Sequence, residues 1–455
     1  MRERAFQSIG SAKCVALLVP ALALAACGTA PEPLPYPDVE ASDRRYTPPA
    51  KAEAVSLAEA ILQKEELSLN EVLAIAEAMN PELAAARKEI DLATAAIWEA
   101  RLYPNPSLVF EFEDYRTKDK ATIGKMERTA GVSFPLVVGG RIGAATRLAE
   151  KEREQAAVNY LWRRREILSG VKRAFYGVLG ARGQADLAKQ TRDLAKTLHD
   201  VSSERFRAQA VPEMELLKAA VALAKAESDL RQADRASAVA LKALHAAMGN
   251  VDLPKDKLSG GLVTLFTSPS LEALRGHVTT VHPLLEAARR TREAAELNLE
   301  LARAERIPDL GFEVTAGRGP DDDSIVEGGV SIPLPLFNRN QAKIASAQAR
   351  IDQAEYQIQA VRNDLVVRLT EAYQSFAGAQ ERVISYREEV LPKAEKALEQ
   401  SNEGYRLGKF SQLDVLDAQR TLAEARIAYA VALTELNIAA TELEKLTGLR
   451  LEPVR

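Results

Sequence analysis

Apolar residues recur every seven positions in a long stretch near the end of the chain, between Ser411 and Thr447. One series is large and apolar, and consists of Val415, Leu422, Tyr429, Leu436 and Leu443. A second series lies three positions later and is mostly alanine: Ala418, Ala425, Ala432, Ala439 and Leu446. This spacing predicts one uninterrupted helix that packs through two seams. Alanine along one seam allows a neighbouring helix to approach closely.

The same pattern occurs 199 positions earlier in the chain. Its large series is Leu216, Leu223, Leu230, Ser237 and Leu244, and its small series is Ala219, Ala226, Ala233, Ala240 and Ala247. Each stretch ends at a glycine, Gly249 or Gly448, which suits a left-handed C-cap. The pattern therefore predicts two long helices of matched length and an internal repeat.

Four shorter stretches, two in each half, alternate apolar and polar residues with a period of two. Their apolar positions are Leu108, Phe110 and Phe112; Ala130, Val132, Phe134 and Leu136; Leu310, Phe312, Val314 and Ala316; and Val330, Ile332 and Leu334. The residues between them are largely Gly, Ser, Thr, Glu or Pro. This alternation predicts two strand hairpins, at about 107–137 and about 309–335, with one apolar face and one polar face.

Such two-faced strands are typical of a membrane β-barrel with lipid outside and water inside. A soluble sheet covered by helices is the alternative interpretation. Four strands cannot close a membrane barrel, and open strand edges are not tolerated in lipid. The barrel must then be shared between chains, and three chains would supply twelve strands. The sequence does not by itself distinguish three chains from two or four.

After each strand hairpin the chain turns helical for a long distance, over 141–208 and 341–407, and Pro392 is the one proline in these spans. About 67 residues at 1.5 Å each would extend about 100 Å. Short polar turns then reverse the chain into the two repeated helices. Further upstream, Ser68 and Glu71 have the spacing of a capping box, and Pro81 suits the first turn of a helix.

The first 26 residues contain basic residues followed by an apolar run, which is the layout of a secretory signal. Leu24-Ala25-Ala26-Cys27 resembles the bacterial lipobox, in which the cysteine becomes the acylated first residue. An ordinary signal peptide, with Cys27 unmodified, is the alternative. Gly28 is not the Asp associated with inner-membrane retention, so the resemblance indicates the outer membrane.

These features divide the chain into six parts. We predict a lipoprotein signal peptide at 1–26, a lipid-anchored Pro-rich segment at 27–67, a first repeat at 68–249 with long helices over about 141–249, a connector at 250–269, a second repeat at 270–448 with long helices over about 341–447, and a tail at 449–455.

Composition narrows the function. Aromatic residues make up 5% and hydrophobic residues 47%, so alanine-rich helices without a thick globular core are favoured. A formal charge of -4 makes nucleic acid an unexpected partner.

No nucleotide loop, Ser elbow, Cys pair or His-Glu-x-x-His motif is present in the sequence. His199, His245, His277 and His282 are scattered, so we expect no enzyme, no cofactor beyond the lipid anchor and no metal site; His282 suits a helix cap.

At this point the chain resembles the TolC-type outer membrane factors. The two halves, the lipobox and the reversal GYRLGKFSQLDVLDAQ carry this resemblance over nearly the whole mature chain. It implies a mainly α fold with a membrane β part: a homotrimer with a 12-stranded outer membrane β-barrel and a periplasmic α-helical barrel. It also implies a location in the outer membrane of a Gram-negative bacterium, contact with outer membrane lipid, and pairing with a periplasmic adaptor (a membrane fusion protein) and an inner-membrane transporter of the RND type.

The phrase GVSIPLPLFNRNQAKI further resembles the cation-efflux branch of this family, of the cobalt-zinc-cadmium type. The expected function is therefore the passive exit duct of a tripartite efflux pump, with heavy-metal cations as cargo. Drug or solvent efflux and type I secretion remain alternatives within transport. Outside transport, the alternative is a periplasmic coiled-coil structural lipoprotein without a pore.

Asp414 and Asp417 are the main candidate site residues. They are three positions apart and project from nearly the same helix face. In the resembling family an equivalent pair lines the narrow periplasmic aperture. A structural alternative is that Asp414 caps the helix, because Ser411 and Asp414 have the spacing of a capping box. The first repeat has Glu215 and Lys218 at the matching positions.

The turns between the long helices are the expected docking tips for an adaptor. These are Val211 and Pro212 in the first repeat and Gly408, Phe410 and Ser411 in the second. Tyr405 matches a family tyrosine that ties the closed tips together. The arginine that partners it in the family is replaced here by Phe410, and Lys409 is a possible substitute.

Overall fold

The computed structural model describes residues 51–114, 126–254, 257–319, 323–407 and 409–454. Its first half contains α1 (Lys51–Leu62), α2 (Leu69–Met79), α3 (Pro81–Arg101), β1 (Ser107–Asp114), β2 (Met126–Leu136), α4 (Arg141–Arg207) and α5 (Glu213–Ala247). Its second half contains α6 (Leu271–Val281), α7 (Pro283–Ala304), β3 (Leu310–Arg318), β4 (Ser324–Ser331), α8 (Gln341–Ser385), a π-helical turn (Tyr386–Val390), α9 (Leu391–Arg406) and α10 (Gln412–Thr447). From α2 onward the second half repeats the first, which confirms two repeats of a strand hairpin followed by a long helical hairpin.

The four strands form one antiparallel sheet in the order β1-β2-β3-β4. Phe110 pairs with Ala130, Phe134 pairs with Phe312, and Phe312 pairs with Val330. Because the order in space follows the order in the chain, β1 and β4 form the two edges. The apolar residues at even-numbered positions all share one face, as the alternation predicts.

The end of β4 differs from the sequence-based prediction, which extends the strand to Leu334. The strand ends at Ser331. Pro333 and Pro335 have no backbone N–H and cannot donate to a strand ladder, so pairing with β3 stops before them. Leu334 therefore lies beyond the sheet and is exposed.

The two long descending helices also differ from each other. Helix α4 runs for 67 residues without interruption, as predicted, but its counterpart is divided by the π-helical turn. The N–H of Leu391 donates to the carbonyl of Tyr386, five residues back. Pro392 explains the wider turn, since its ring would clash with the carbonyl four residues earlier in a regular helix and it has no N–H to donate.

Two large hydrophobic cores and two smaller clusters among the described residues hold the helices together. One surrounds Phe175 and Leu244, where α2 and α5 pack on α4. The other surrounds Phe376 and Leu436, where α6 and α10 pack on α8. Both seams of α10 take part in burial as predicted: Val415, Leu422, Leu436 and Leu443 of the first series and Ala425, Ala432 and Leu446 of the second series are buried.

The predicted helix ends are found. Gly448 adopts φ 72°, and its N–H donates to the carbonyl of Glu444 at 2.7 Å, which closes α10. Gly249, just after α5, has φ 95°. The backbone N–H and the hydroxyl of Ser68 donate to Glu71 at 2.7 and 2.8 Å, which forms the capping box at the start of α2.

The two halves meet where α4 packs against α10, and Gly180 makes a close approach possible there. A Cβ at Gly180 would lie 2.2 Å from the hydroxyl oxygen of Thr434, whereas a Cβ at Gly177 would meet nothing within 4 Å among the described residues.

We expect Gly180→Ala to destabilise the protein by about 1–3 kcal/mol through overpacking. Gly177→Ala, the matched control on the same helix, should stabilise it by about 0.5–1 kcal/mol. Thermal unfolding in detergent, followed by circular dichroism at 222 nm, tests this; equal shifts for both variants would contradict it.

Candidate functional site

The polar face of the sheet is its concave side. Thr129 and Thr315 on this face are buried, whereas Phe110 and Val326 on the opposite face are largely exposed. Gly131 lies on the polar face, and a Cβ there would lie 2.1 Å from the carbonyl oxygen of Val314. Side chains converge on the inner side of a curved sheet, so glycine is needed at such points. The sheet therefore curves toward its polar face, as a segment of a barrel does around a lumen.

The concave face is acidic. The strand pairing places five glutamates on it: Glu111, Glu113, Glu127, Glu313 and Glu327. Among the described strand residues, this face carries no Lys or Arg. Glu113 and Glu127 are directly opposite each other across β1 and β2. Like charges in such a pair oppose sheet formation, so this arrangement is not explained by strand stability.

The convex face is apolar and open to the surroundings. Leu108, Phe110, Val326 and Val330 are each more than 60% exposed. Phe134 and Phe312 stack with ring centroids 5.6 Å apart. The charged residues of this face, Asp114, Arg128 and Arg318, lie at the loop end of the strands, and the remaining exposed apolar surface fits contact with lipid. Among the described helices, none contains a stretch that is both long and apolar enough to span a bilayer.

At the far end of the molecule, a short turn joins α4 to α5. Gln209 adopts φ 55°, and the N–H of Ala210 donates to the carbonyl of Arg205 at 2.9 Å. Half-buried Val211 and exposed Pro212 follow, and Pro212 immediately precedes α5. Both candidate tip residues of the first repeat thus lie at the reversal.

The second tip, between α9 and α10, repeats the bond from an N–H to the carbonyl five residues back and adds a packed aromatic ring. The N–H groups of Lys409 and Phe410 donate to the carbonyl of Gly404 at 2.8 and 3.2 Å. The ring of Phe410 lies against Gly404, where a Cβ would be 2.2 Å from the ring. Of the candidate tip residues, Phe410 and Ser411 lie at this reversal, and Gly408 lies outside the described residues.

Asp414 caps helix α10. Its carboxylate accepts from the backbone N–H and the hydroxyl of Ser411 at 2.8 and 2.7 Å. The hydroxyl of Ser411 in turn accepts from the N–H of Asp414. Hydrogen bonds from the Ser411 hydroxyl and N–H lower the pKa of this carboxyl. The capping interpretation of Asp414 therefore describes its contacts in the structure.

Asp417 has no part in this cap. Its carboxylate pairs with the guanidinium of Arg420 at 3.1 Å, and both side chains are 67% exposed. At the matching positions of the first repeat, Glu215 is half-buried and Lys218 is exposed. Asp414 and Asp417 thus lie together on the exposed first turns of α10, whereas the first repeat offers a mixed pair.

Tyr405 has a partner that the sequence analysis missed. Its hydroxyl accepts a hydrogen bond of 2.5 Å from the guanidinium of Arg205, which lies at the end of α4 in the other repeat. Phe410 and Lys409 are not that partner. The offset of 199 matches Tyr405 with Phe206, so the repeat places Arg205 at the same height along the molecule. That offset is the signal which could have identified the pair.

The histidines have structural contacts. Buried His282 accepts from the N–H of Leu284 at 3.1 Å, which confirms it as a helix cap. Burial, with contributions from Arg165 and Arg368, lowers the pKa of His282 to about 3, so it is neutral at physiological pH. Within the described ranges, no group of three or more His, Cys, Asp or Glu side chains converges as a metal site would require.

A two-faced antiparallel sheet above long helical hairpins is the fold of the outer membrane channels. VceC of Vibrio cholerae superimposes with a TM-score of 0.67 at 20% identity, over 84% of this chain and 96% of VceC. The outer membrane efflux protein family model matches residues 72–250 and 278–449. The chain belongs to the outer membrane efflux protein family.

Its relatives include named resistance proteins. The cobalt-zinc-cadmium resistance protein CzcC of Cupriavidus metallidurans is 32% identical over 383 residues, which cover 84% of this chain and 90% of CzcC. The nickel-cobalt-cadmium resistance protein NccC of Alcaligenes xylosoxydans xylosoxydans is 25% identical over 64% of this chain and 67% of NccC. Family and fold are those of channel proteins in the outer membrane of Gram-negative bacteria, with helices that extend into the periplasm.

Proposed function

We propose that this protein is the exit duct of a tripartite efflux pump and that it conducts heavy-metal cations out of the cell. The acidic concave face of the sheet is the observation that carries this proposal. Rings of carboxylates in a pore attract cations and repel anions. With five glutamates on each chain, a shared barrel would present cations with a negative lumen. The similarity to CzcC supports the same cargo class.

Metal tolerance of the producing bacterium tests the cargo. A deletion strain is expected to become more sensitive to cobalt, zinc or cadmium and to recover with the wild-type gene. Sensitivity to organic dyes and detergents, measured on the same strains, is the comparison. Unchanged metal tolerance together with lost dye tolerance would contradict the metal proposal and favour drug export.

The proposed assembly is a homotrimer with a twelve-stranded barrel. The open edges at β1 and β4 support closure through other copies, because unpaired strand edges are not stable in lipid. A periplasmic adaptor and an inner-membrane transporter of the RND type are the proposed partners. The tips support adaptor docking, since large apolar side chains there are exposed: Met214, Leu217, Leu407, Phe410 and Leu413. Native mass spectrometry in detergent tests the trimer, and any other stoichiometry would contradict it.

Lipidation of Cys27 is a further part of the proposal, on a residue outside the described ranges. The lipobox-like sequence before Cys27 supports it. Mass spectrometry of the mature N-terminal peptide should show an acylated cysteine, and Cys27→Ser should lose that mass. An unmodified Cys27 in the wild-type protein would exclude the anchor.

The hydrogen bond between Arg205 and Tyr405 is proposed to hold the two hairpins of one chain together at the aperture. It links the end of α4 to the end of α9, next to the helix that carries Asp414 and Asp417. Tyr405→Phe removes the acceptor but keeps the ring, so we expect more frequent or larger openings in planar bilayers. Tyr356→Phe, at an exposed position on α8, is the matched control. Indistinguishable recordings from Tyr405→Phe and wild type would reject a latch.

A further inference from the structure

The two edges of the sheet are unpaired in the described part of one chain. Strand β1 has a partner only in β2, and β4 has a partner only in β3. If copies close a barrel by rotation, β4 of one copy meets β1 of the next. This step rests on the proposed homotrimer. It determines which other parts of two neighbouring copies come together.

The direction of the two edge strands identifies those parts. Strand β1 begins at Ser107 after the helix α3, and β4 ends at Ser331 before the helix α8. Both of these strand ends therefore lie on the side of the sheet that faces the long helices. When β4 pairs with β1 of the next copy, the residues after Ser331 continue beside the residues that precede Ser107 in that copy.

Both of these flanking segments carry exposed apolar side chains. After β4, Leu334 is 73% exposed, Leu336 is 64% exposed and Phe337 is 92% exposed. Before β1, Leu102 is 71% exposed and Tyr103 is 69% exposed. Neither segment belongs to the sheet, so the lipid-facing alternation of the strands does not account for them. Exposed apolar residues concentrated at two matching places indicate a contact surface.

The segment after β4 is held in position by local hydrogen bonds. The N–H of Leu336 donates to the carbonyl of Leu334 at 2.8 Å. The side-chain amide of Asn340 donates to the backbone carbonyl of Ala302 at 2.7 Å, and the side-chain amide of Gln341 donates to the backbone carbonyl of Phe337 at 3.1 Å. These bonds tie the segment to α7 and α8 while the ring of Phe337 points away from its own chain.

The matching place in the first half has a different construction. There β2 continues into Gly139 and Gly140, and Gly139 lies against Ile307 of the same chain, where a Cβ would be 2.8 Å away. This connection follows an inner strand, which has both of its neighbours within the chain. The protruding apolar segment thus occurs at the edge strand, where a neighbouring copy is required.

We propose that Leu334, Leu336 and Phe337 of one copy pack against Leu102 and Tyr103 of the next copy. Three such contacts would form an apolar collar at the junction of barrel and helices. Within one chain the two segments flank opposite edges of a four-stranded sheet, which are about 14 Å apart for three strand spacings. A contact between them is therefore a contact between copies.

Cysteine cross-linking tests the collar in the full-length protein. Tyr103→Cys and Phe337→Cys are expressed as single variants with different affinity tags in one cell, and membranes are treated with a short bifunctional maleimide. Covalent dimers that carry both tags are expected. The native cysteines, Cys14 and Cys27, precede the described residues, and the wild-type chain reports their background. Tyr103→Cys with Tyr356→Cys, a largely exposed aromatic position on α8, is the matched control and should give no such dimer.

The outcomes separate this inference from the proposed assembly. A trimer by native mass spectrometry without the Tyr103-Phe337 cross-link overturns the collar and leaves the duct intact. Absence of a trimer overturns the assembly itself. Tryptophan fluorescence of Phe337→Trp in vesicles with brominated phospholipid gives a second measurement. Protection from quenching is expected, and strong quenching would show that lipid, instead of a second copy, covers this side chain.

Discussion

Replacing the five strand glutamates with glutamine is expected to remove the preference of the channel for cations over anions. The substituted positions are Glu111, Glu113, Glu127, Glu313 and Glu327, which share the concave face of the sheet. Glutamine keeps the size and polarity of each side chain and removes only its charge. The reversal potential across a salt gradient in planar bilayers measures the permeability ratio of cation to anion. In the variant this ratio should fall toward one.

Ionic strength provides an internal check on this prediction. The Debye length is about 30 Å at 0.01 M salt and about 3 Å at 1 M. The difference between wild type and variant should therefore be large in dilute salt and small in concentrated salt. A control variant carries five Glu→Gln changes at exposed positions away from the strands: Glu59, Glu65, Glu66, Glu272 and Glu452. Loss of selectivity in the control, or its retention in the strand variant, would refute a role for the concave face.

Removal of the charges at the second tip is the other change expected to have a large effect. Asp414→Ala with Asp417→Ala should raise single-channel conductance several-fold, if these carboxylates restrict the aperture of the trimer. The physical reason is that carboxylates around a narrow opening hold cations and limit the space available for flow. Recordings in planar bilayers at constant salt measure this, and unchanged conductance would defeat the proposal.

Two further variants separate the aperture from the helix cap. Ser411→Ala removes the hydroxyl that bonds to Asp414 but keeps both charges, so it should change conductance little. Asp417→Asn keeps the cap and removes one charge, so it should reproduce part of the increase. If Ser411→Ala instead raised the conductance more than Asp417→Asn, the helix cap, and not the charge, would limit the conductance at the tip.

Much of the fold follows from spacing along the chain. The seven-residue seams of α10, the two-residue alternation of the strands and the capping residue Ser68 each depend on neighbours within one or two helical turns. Such local patterns determine element type well. The end of β4 and the π-helical turn were less accessible, because the effect of Pro333 depends on whether a backbone N–H at its position would have to pair in the sheet and the effect of Pro392 depends on the carbonyl of the preceding helical turn.

The site was only partly accessible from sequence for a different reason. Glutamates were visible among the polar strand residues, but the register had to be known before Glu113 and Glu127 could be placed opposite each other. The partnership of Arg205 with Tyr405 spans 200 residues and two helices. Contacts of this kind depend on how the two helical hairpins pack against each other, and the local periodicity of the sequence does not specify that packing.

The π-helical turn gives the second hairpin a point of bending that the first hairpin lacks. Helix α9, which connects this turn to the tip, has 16 residues and is about 24 Å long at 1.5 Å per residue. A bend of about 10° at the turn would displace the tip by about 4 Å while the part of the hairpin nearer the sheet stays in place. Helix α4 has no such turn, so the first hairpin lacks this point of bending. The two hairpins of each subunit thus differ in where they can bend, and the hairpin with the π-helical turn carries the acidic pair on its unbroken helix α10.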